Sequence, residues 1–339
     1  MKQFLIDMGQ PRYRGEQVFT ALNKGYRIDE ITTIPKELRE ELNKLPFGGV
    51  TIHEKFFSKK DDTIKYLFLL EDGNIIEGVL MRYIHGNTIC ISTQVGCKMG
   101  CEFCASTKNG LIRSLEPSEM VSQILAANRD LGAKDGERLI TNVVLMGSGE
   151  PLDNYDNVLK FIEIINHHKG FNMGKRSISL STCGLVPKII ELADSDIGVT
   201  LSISLHAVTD EARKKIMPIA KAYSLKELLS AAKYYADKTG RRVVFEYALV
   251  SGVNDSLQDA DLLYELTRDI NCLINIIQLN PIEGGSLNRT STARADAFFA
   301  QLHKKGAQIT RRRELGSDIG GACGQLKNSY LSEKNGGRK

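Results

Sequence analysis

Thr88-Ile89-Cys90-Ile91-Ser92-Thr93-Gln94-Val95-Gly96-Cys97-Lys98-Met99-Gly100-Cys101-Glu102-Phe103-Cys104 runs from an apolar, β-branched stretch straight into three cysteines spaced C-x-x-x-C-x-x-C. Its first part reads as a buried strand, Thr88–Gln94. Its second part gathers three thiols in one short loop, where thiolates repel one another and oxidise readily unless a metal holds them. A structural zinc closes its shell with four protein ligands, and no fourth Cys or His follows at finger spacing. Three cysteines suit an iron–sulfur cluster that leaves one iron open to a substrate or cofactor. The contrasting reading is a zinc-stabilised RNA-binding module without turnover.

Outward from this stretch the pattern repeats. Candidate strands Thr141–Met146, Ser177–Thr182, Val199–Leu205, Val243–Val250 and Ile274–Leu279 alternate with helical stretches such as Ser118–Leu131, Tyr155–His167, Leu225–Lys238, Ser256–Arg268 and Thr292–Lys304. Near-continuous apolar strands separated by helices form a parallel sheet buried on both faces. The predicted fold is α/β, a partial (β/α)6 TIM-like barrel over residues 86–315. In barrels the chemistry collects just beyond the C-terminal ends of the strands. The polar motifs fall there: the cysteine loop, Gly147-Ser148-Gly149-Glu150-Pro151, Ser181-Thr182-Cys183-Gly184, Ser204-Leu205-His206 and Asn280-Pro281.

Upstream, residues 1–48 read as a small helical module, with Val18, Phe19 and Leu22 on one helical face and Pro35 opening a second helix. Its Arg12, Arg14, Lys24 and Arg27 read equally well as a solvated face or as an RNA contact. Residues 49–85 change period. Thr63–Leu70 and Ile75–Met81 flank Glu71-Asp72-Gly73-Asn74, a hairpin signal, and Glu77 sits inside the second apolar run. Residues 316–339 form a glycine-rich loop carrying Cys323, followed by a basic tail.

Composition excludes several classes. Hydrophobic content of 42% and charged content of 25% are those of a soluble globular chain of 339 residues, and no apolar run approaches the roughly 20 residues that span a bilayer. Seven cysteines, three clustered and four scattered, do not make a secreted disulfide framework, so a reducing, cytoplasmic setting is expected. A net charge of +4 is compatible with a polyanionic partner.

The cysteine loop resembles the cluster motif of radical S-adenosylmethionine (SAM) enzymes, in which the amino and carboxylate groups of SAM chelate the open iron of a 4Fe–4S cluster. A SAM site needs glycine backbone that approaches closely and a few fixed polar groups. Gly149 and Glu150 can supply them, the Glu150 carboxylate accepting from the SAM ammonium. Ser181, Ser204 and Asn280 can bond the ribose or carboxylate, though a Ser or Asn at a strand end also caps helices. Ser204-Leu205-His206 forms one such strand end, with His206 read as SAM-binding or packing rather than as an acid–base group.

With Gly147–Pro151, Ser204–His206 and Ala322-Cys323-Gly324-Gln325-Leu326 added, the chain resembles the RlmN/Cfr family of radical SAM RNA methyltransferases over nearly its whole length. Arg14-Gly15-Glu16-Gln17 and Gln94-Val95-Gly96-Cys97 match in order and spacing. The resemblance implies methylation of an electron-poor adenine carbon, C2 in RlmN or C8 in Cfr, by a radical route that uses two SAM per turnover. One SAM methylates the cysteine matching Cys323. The second, on the cluster of Cys97, Cys101 and Cys104, yields a radical that takes hydrogen from the S-methyl group. The methylene radical then adds to adenine, giving a covalent protein–RNA adduct. By the same resemblance Glu77 and Cys90 are the matching positions for proton removal and resolution; either can serve the proton transfer, and the assignment taken is Glu77 as base and Cys90 as the resolving thiol, which releases product by forming a disulfide. Cys183 and Cys272 match no such role and are expected to be structural.

Gly149-Glu150-Pro151 and Phe245-Glu246-Tyr247 resemble RlmN-type more than Cfr-type sequences, while Ser148 stands where many members carry Met. The implied product is C2-methyladenine, at adenosine 2503 of 23S rRNA and adenosine 37 of tRNA. A flipped or single-stranded base is required for access. A flavodoxin-like electron donor is the other implied partner.

Overall fold

The computed structural model describes residues 1–45, 48–134, 136–282 and 284–326, with the backbone of residues 329–330. The end of the basic tail, residues 331–339, lies outside the described residues. At the N-terminus, α1 (Lys2–Asp7), α2 (Arg12–Asn23) and α3 (Lys36–Leu42) pack around a core of their own that includes Leu5, Val18, Ile31 and Leu38. Helix α1 crosses α2 at Gly15, where a Cβ would stand 2.6 Å from the Lys2 Cα. The glycine in the Arg14-Gly15-Glu16-Gln17 stretch is thus a packing requirement.

An antiparallel meander follows: β1 (Val50–Phe57), β2 (Ile64–Leu70) and β3 (Asn74–Tyr83). The expected hairpin is β2–β3, turning at Gly73 with φ +84°. Strand β3 also pairs antiparallel with β4 (Gly86–Cys90), so the meander continues into the main sheet instead of standing apart.

The predicted strand Thr88–Gln94 is interrupted. Strand β4 ends at Cys90, and the chain pairs again as β5 (Gln94–Gly96) with β6 (Leu111–Ser114) in a separate two-stranded sheet. The break is hydrogen-bonded by a side chain. The Gln123 amide accepts from the Ser92 N–H at 3.0 Å and donates to the Ser92 carbonyl at 3.0 Å, replacing the lost ladder partners.

Helix α4 (Pro117–Asp130) leads into β7 (Ile140–Leu145), α5 (Tyr155–Asn166), β8 (Ile178–Thr182), α6 (Val186–Asp194) and β9 (Thr200–Ser204). The chain goes on through α7 (Asp210–Ile216), α8 (Leu225–Thr239), β10 (Val243–Leu249), α9 (Leu257–Thr267), β11 (Cys272–Gln278), α10 (Thr292–Lys304) and β12 (Ile309–Arg311). The sheet order β4-β7-β8-β9-β10-β11-β12 is parallel throughout, as near-continuous apolar strands require. Helix α7 was not anticipated, because Asp-Glu-Ala-Arg-Lys-Lys-Ile has too few apolar residues to show a period. Phe161, Phe245, Phe298, Tyr235 and Tyr247 are fully buried in the main core.

Candidate functional site

Strands β5 and β6 grip the two ends of the cysteine loop, with the Cys97 N–H donating to the Gly110 carbonyl at 3.0 Å. Inside the loop, the Cys104 N–H reaches the Cys101 carbonyl at 3.1 Å, and the Thr107 hydroxyl donates to the Cys104 carbonyl at 3.0 Å. The Glu102 N–H reaches the Ile216 carbonyl at the end of α7, 3.0 Å away. The loop is therefore held by its backbone, which leaves the three thiols for a ligand.

Cys97, Cys101 and Cys104 line one cavity of about 160 Å³, together with Gly149, Glu150 and Cys323. Ser181, Ser204, His206 and Asn280 line it too. Leu205 does not. Its side chain is fully buried and its N–H donates to the Glu246 carbonyl at 3.1 Å.

Burial pushes the Cys97 thiol up to about 12 and raises Cys101 and Cys104, so a metal must displace a proton from each. Among the described residues no three Cys, His, Asp or Glu side chains converge closely enough to grip a single ion.

The polar part of the cavity has the close glycine backbone and fixed polar groups that a SAM site needs. Gly147 and Gly149 bring backbone to the surface where side chains have no room: a Cβ on Gly147 would lie 2.6 Å from the Ile91 carbonyl oxygen. On Gly149, at φ +107°, it would lie 2.6 Å from Gln94 Cβ. Glu150 is 3% exposed; its Oε1 accepts from the Leu152 N–H at 3.0 Å and its Oε2 from the Cys183 N–H at 2.7 Å. Burial raises this carboxyl, and the two N–H groups together with the Cys183 and Thr182 side chains oppose the rise.

Gly149→Ala is expected to lower the melting temperature by several degrees, since a strained φ alone costs about 1–3 kcal/mol, and to weaken SAM binding in equilibrium dialysis. Wild-type melting and affinity in that variant would show that the glycine is dispensable.

His206 is left-handed, at φ +55°, and 3% exposed. Its Nδ1 accepts from the Ala248 N–H at 2.9 Å, and burial drives the imidazole down to about 3, so it is neutral at pH 7. The ring packs edge-on against Phe103 of the cysteine loop, with centroids 4.7 Å apart.

The C-terminal loop is docked onto the cysteine loop. The Gly324 carbonyl accepts from the Ala105 N–H at 2.7 Å, and the Leu326 carbonyl from the Ser106 hydroxyl at 2.7 Å. The Asn280 amide donates to the Cys323 carbonyl at 3.3 Å. Gly324 permits the contact, because a Cβ there would meet the Phe103 carbonyl oxygen at 2.7 Å.

Cys90 lies at the end of β4, opposite Val79 of β3. Val79, Met81, Cys90 and Leu326 pack as one cluster. Burial pushes the Cys90 thiol up to about 12, and the nearby Cys323 adds to the rise. Glu77 shares the face of β3 that carries Val79 and Met81, is 4% exposed, and has Oε1 3.4 Å from Lys65 Nζ. Neither Glu77 nor Cys90 lines the cavity itself. All seven cysteines are free thiols.

Sequence reasoning missed three cavity residues. Glu246 Oε2 accepts from the Asn275 amide at 2.9 Å and lies 3.6 Å from Arg312 Nη1. Arg312 is held firmly charged by Cys323, then by Glu246, Cys90 and Tyr83. A carboxylate inside the apolar run Val243–Leu249 was the available signal for Glu246. Arg312 had none beyond its basic neighbours. Cys183, expected to be structural, lines the cavity while its backbone holds Glu150.

Residues 91–263 match the family model described as the Radical SAM superfamily. A protein of Thermoanaerobacter sp. (strain X514) named probable dual-specificity RNA methyltransferase RlmN is 48% identical over 337 residues, covering 98% of this chain and 97% of the relative. A protein of Alkaliphilus oremlandii with the same name is 49% identical over 333 residues, covering 98% of this chain and 96% of its own. A crystal structure of a radical SAM methyltransferase from Sphaerobacter thermophilus superimposes with a TM-score of 0.91 at 41% identity, covering 96% of each chain.

Proposed function

From the premise that the chain belongs to the RlmN family of radical SAM RNA methyltransferases, we propose that it methylates C2 of adenine, in 23S rRNA at adenosine 2503 and in tRNA at adenosine 37, through a methylated cysteine. Membership implies a 4Fe–4S cluster and SAM; Cys97, Cys101 and Cys104 are the proposed iron ligands. Gly149, Glu150, Ser181, Ser204, His206 and Asn280, with the backbone at Leu205, are the proposed SAM contacts. A cluster held by those cysteines and fed by an external flavodoxin-like donor would supply the electron for reductive cleavage of SAM to the radical that activates the methyl group.

The chain's own thiols carry the rest. Cys323 Sγ would take the methyl of one SAM, releasing S-adenosylhomocysteine; the S-methyl group would give a hydrogen atom to the radical derived from the second SAM, and a Cys323 S–CH2–C2 bridge would form as one electron returns to the oxidised cluster and C2 loses its proton. Glu77 takes the proton. The Cys90 thiolate then attacks Cys323 Sγ; the S–S bond forms, the S–CH2 bond breaks, and the released carbon takes a proton to become the methyl group. The observation that carries this reading is the cavity lined at once by the three loop cysteines and by Cys323. The packing of Cys90 against Leu326, three residues beyond Cys323, supports the resolving role.

The test is anaerobic reconstitution with iron and sulfide, followed by assay on rRNA fragments and tRNA with labelled SAM. Mass mapping should place the label on C2. Label on C8 would move the enzyme to the Cfr-type reaction, and a colourless protein containing zinc and no iron would end the radical reading.

A further inference from the structure

Arg213 heads the fully buried side chains among the described residues, at 0% exposure. It lies behind the cavity wall and does not line the cavity. Its Nε donates to the Leu205 carbonyl at 3.1 Å, and its Nη2 to the carbonyls of Cys183 at 2.7 Å and Ser204 at 3.1 Å. Its Nη1 is buried with no hydrogen-bond partner. Gly184, at φ +108°, leaves room for the guanidinium: a Cβ there would stand 3.2 Å from Nη2. Helix α7 fixes the Arg213 backbone, and the same helix end anchors the cysteine loop through Ile216 and Glu102.

No carboxylate is among those hydrogen-bond acceptors. Burial lowers the guanidinium, and the acidic groups that oppose the fall are Cys183, Cys101 and Asp210, whose Oδ1 already accepts from the Leu225 N–H at 2.8 Å. A guanidinium taken wholly out of water is costly without an anion. Carbonyl dipoles offset part of that cost, and the unpartnered Nη1 shows that they do not cover all of it. The thiol wall is where a negative charge belongs. A 4Fe–4S cluster on three thiolates is a net anion, and one-electron reduction makes it more negative.

We propose that Arg213 is the fixed counter-charge of the cluster held by Cys97, Cys101 and Cys104. It is a positioning residue that touches neither SAM nor RNA, and it raises the reduction potential through its buried positive charge. The inference rests on the reading of those three cysteines as cluster ligands. A buried charge acts strongly here because little water screens it.

The test is redox titration of the reconstituted protein, followed by absorbance and electron paramagnetic resonance, for wild type, Arg213→Gln and Arg213→Lys. Arg213→Gln should lower the reduced-to-oxidised ratio at fixed poise by about tenfold, a shift of 59 mV for a one-electron couple. Arg213→Lys, which keeps the charge, should stay within about threefold of wild type. An unchanged potential in a fully loaded Arg213→Gln protein overturns the proposal, whereas failure of the wild type to form a cluster overturns the reading beneath it.

If Arg213→Gln does not fold or load, Arg213→Lys decides alone. A buried ammonium loses its proton on raising the pH and a guanidinium does not. The lysine variant's potential should then fall with pH more steeply than that of wild type, and parallel profiles would refute the counter-charge role.

Discussion

Cys323→Ala is expected to abolish methyl transfer to RNA and to leave the iron–sulfur absorption intact. The substitution removes one sulfur from a half-buried side chain, and the hydrogen bonds that dock the loop do not use that atom. The Gly324–Ala105 and Leu326–Ser106 contacts are made through carbonyls, as is the Asn280–Cys323 contact. The Cys323 thiol is the group proposed to receive and carry the methyl. Without a nucleophile there is no covalent route, and the rate should fall by more than about a thousandfold. The measurement is anaerobic turnover with methyl-labelled SAM, alongside the cluster absorbance. A variant that still labels RNA at a tenth of the wild-type rate would mean that the methyl travels by another group.

Cys90→Ala is expected to stall the reaction after bond formation and to leave the protein linked to RNA, which would show as a slowly migrating band on a denaturing gel that nuclease collapses. Cys90 is 6% exposed in an apolar cluster, so loss of its sulfur costs about 1 kcal/mol of packing and leaves the fold in place. Its chemical loss is larger, because a resolving thiol has to attack as the thiolate. Burial pushes Cys90 up to about 12, with Cys323 adding to the rise and Arg312 opposing it. A raised thiol is protonated at neutral pH and gains thiolate as the pH climbs. Single-turnover product release in wild type should therefore accelerate between about pH 7 and 9, towards tenfold per unit where resolution limits. In Cys90→Ala the adduct should persist across that range. Release at the wild-type rate with no trapped band would remove Cys90 from the resolving role.

Much of the fold was legible because its cause is local. Six apolar runs alternating with helical periods imply a parallel sheet, and β4 and β7–β12 carry that pattern through, with the antiparallel meander β1–β3 added at one side. The interruption between β4 and β5 was not legible, because it depends on the Gln123 amide reaching Ser92 from another helix. Helix α7, whose Arg213 the site leans on, was invisible for want of an apolar period.

The zinc-module reading drew on the same three cysteines and does not survive. Relatives at 48–49% identity over 98% of the chain are named as methyltransferases, which makes the chain an enzyme.

By itself the sequence determined that the chain would build a parallel α/β sheet, with three thiols in one loop and its polar motifs at strand ends. Spacing and periodicity are properties of neighbours in the chain. Only the tertiary structure decided that Cys323 would share a cavity with Cys97, Cys101 and Cys104, that Cys90 would pack beside its loop, and that Glu246 and Arg312 would join them. Those partners lie far apart in sequence and meet only because backbone hydrogen bonds and a glycine without a side chain let one loop rest on another. No pattern along the chain encodes such a contact; it is a property of the curved sheet and of the space its strand ends leave.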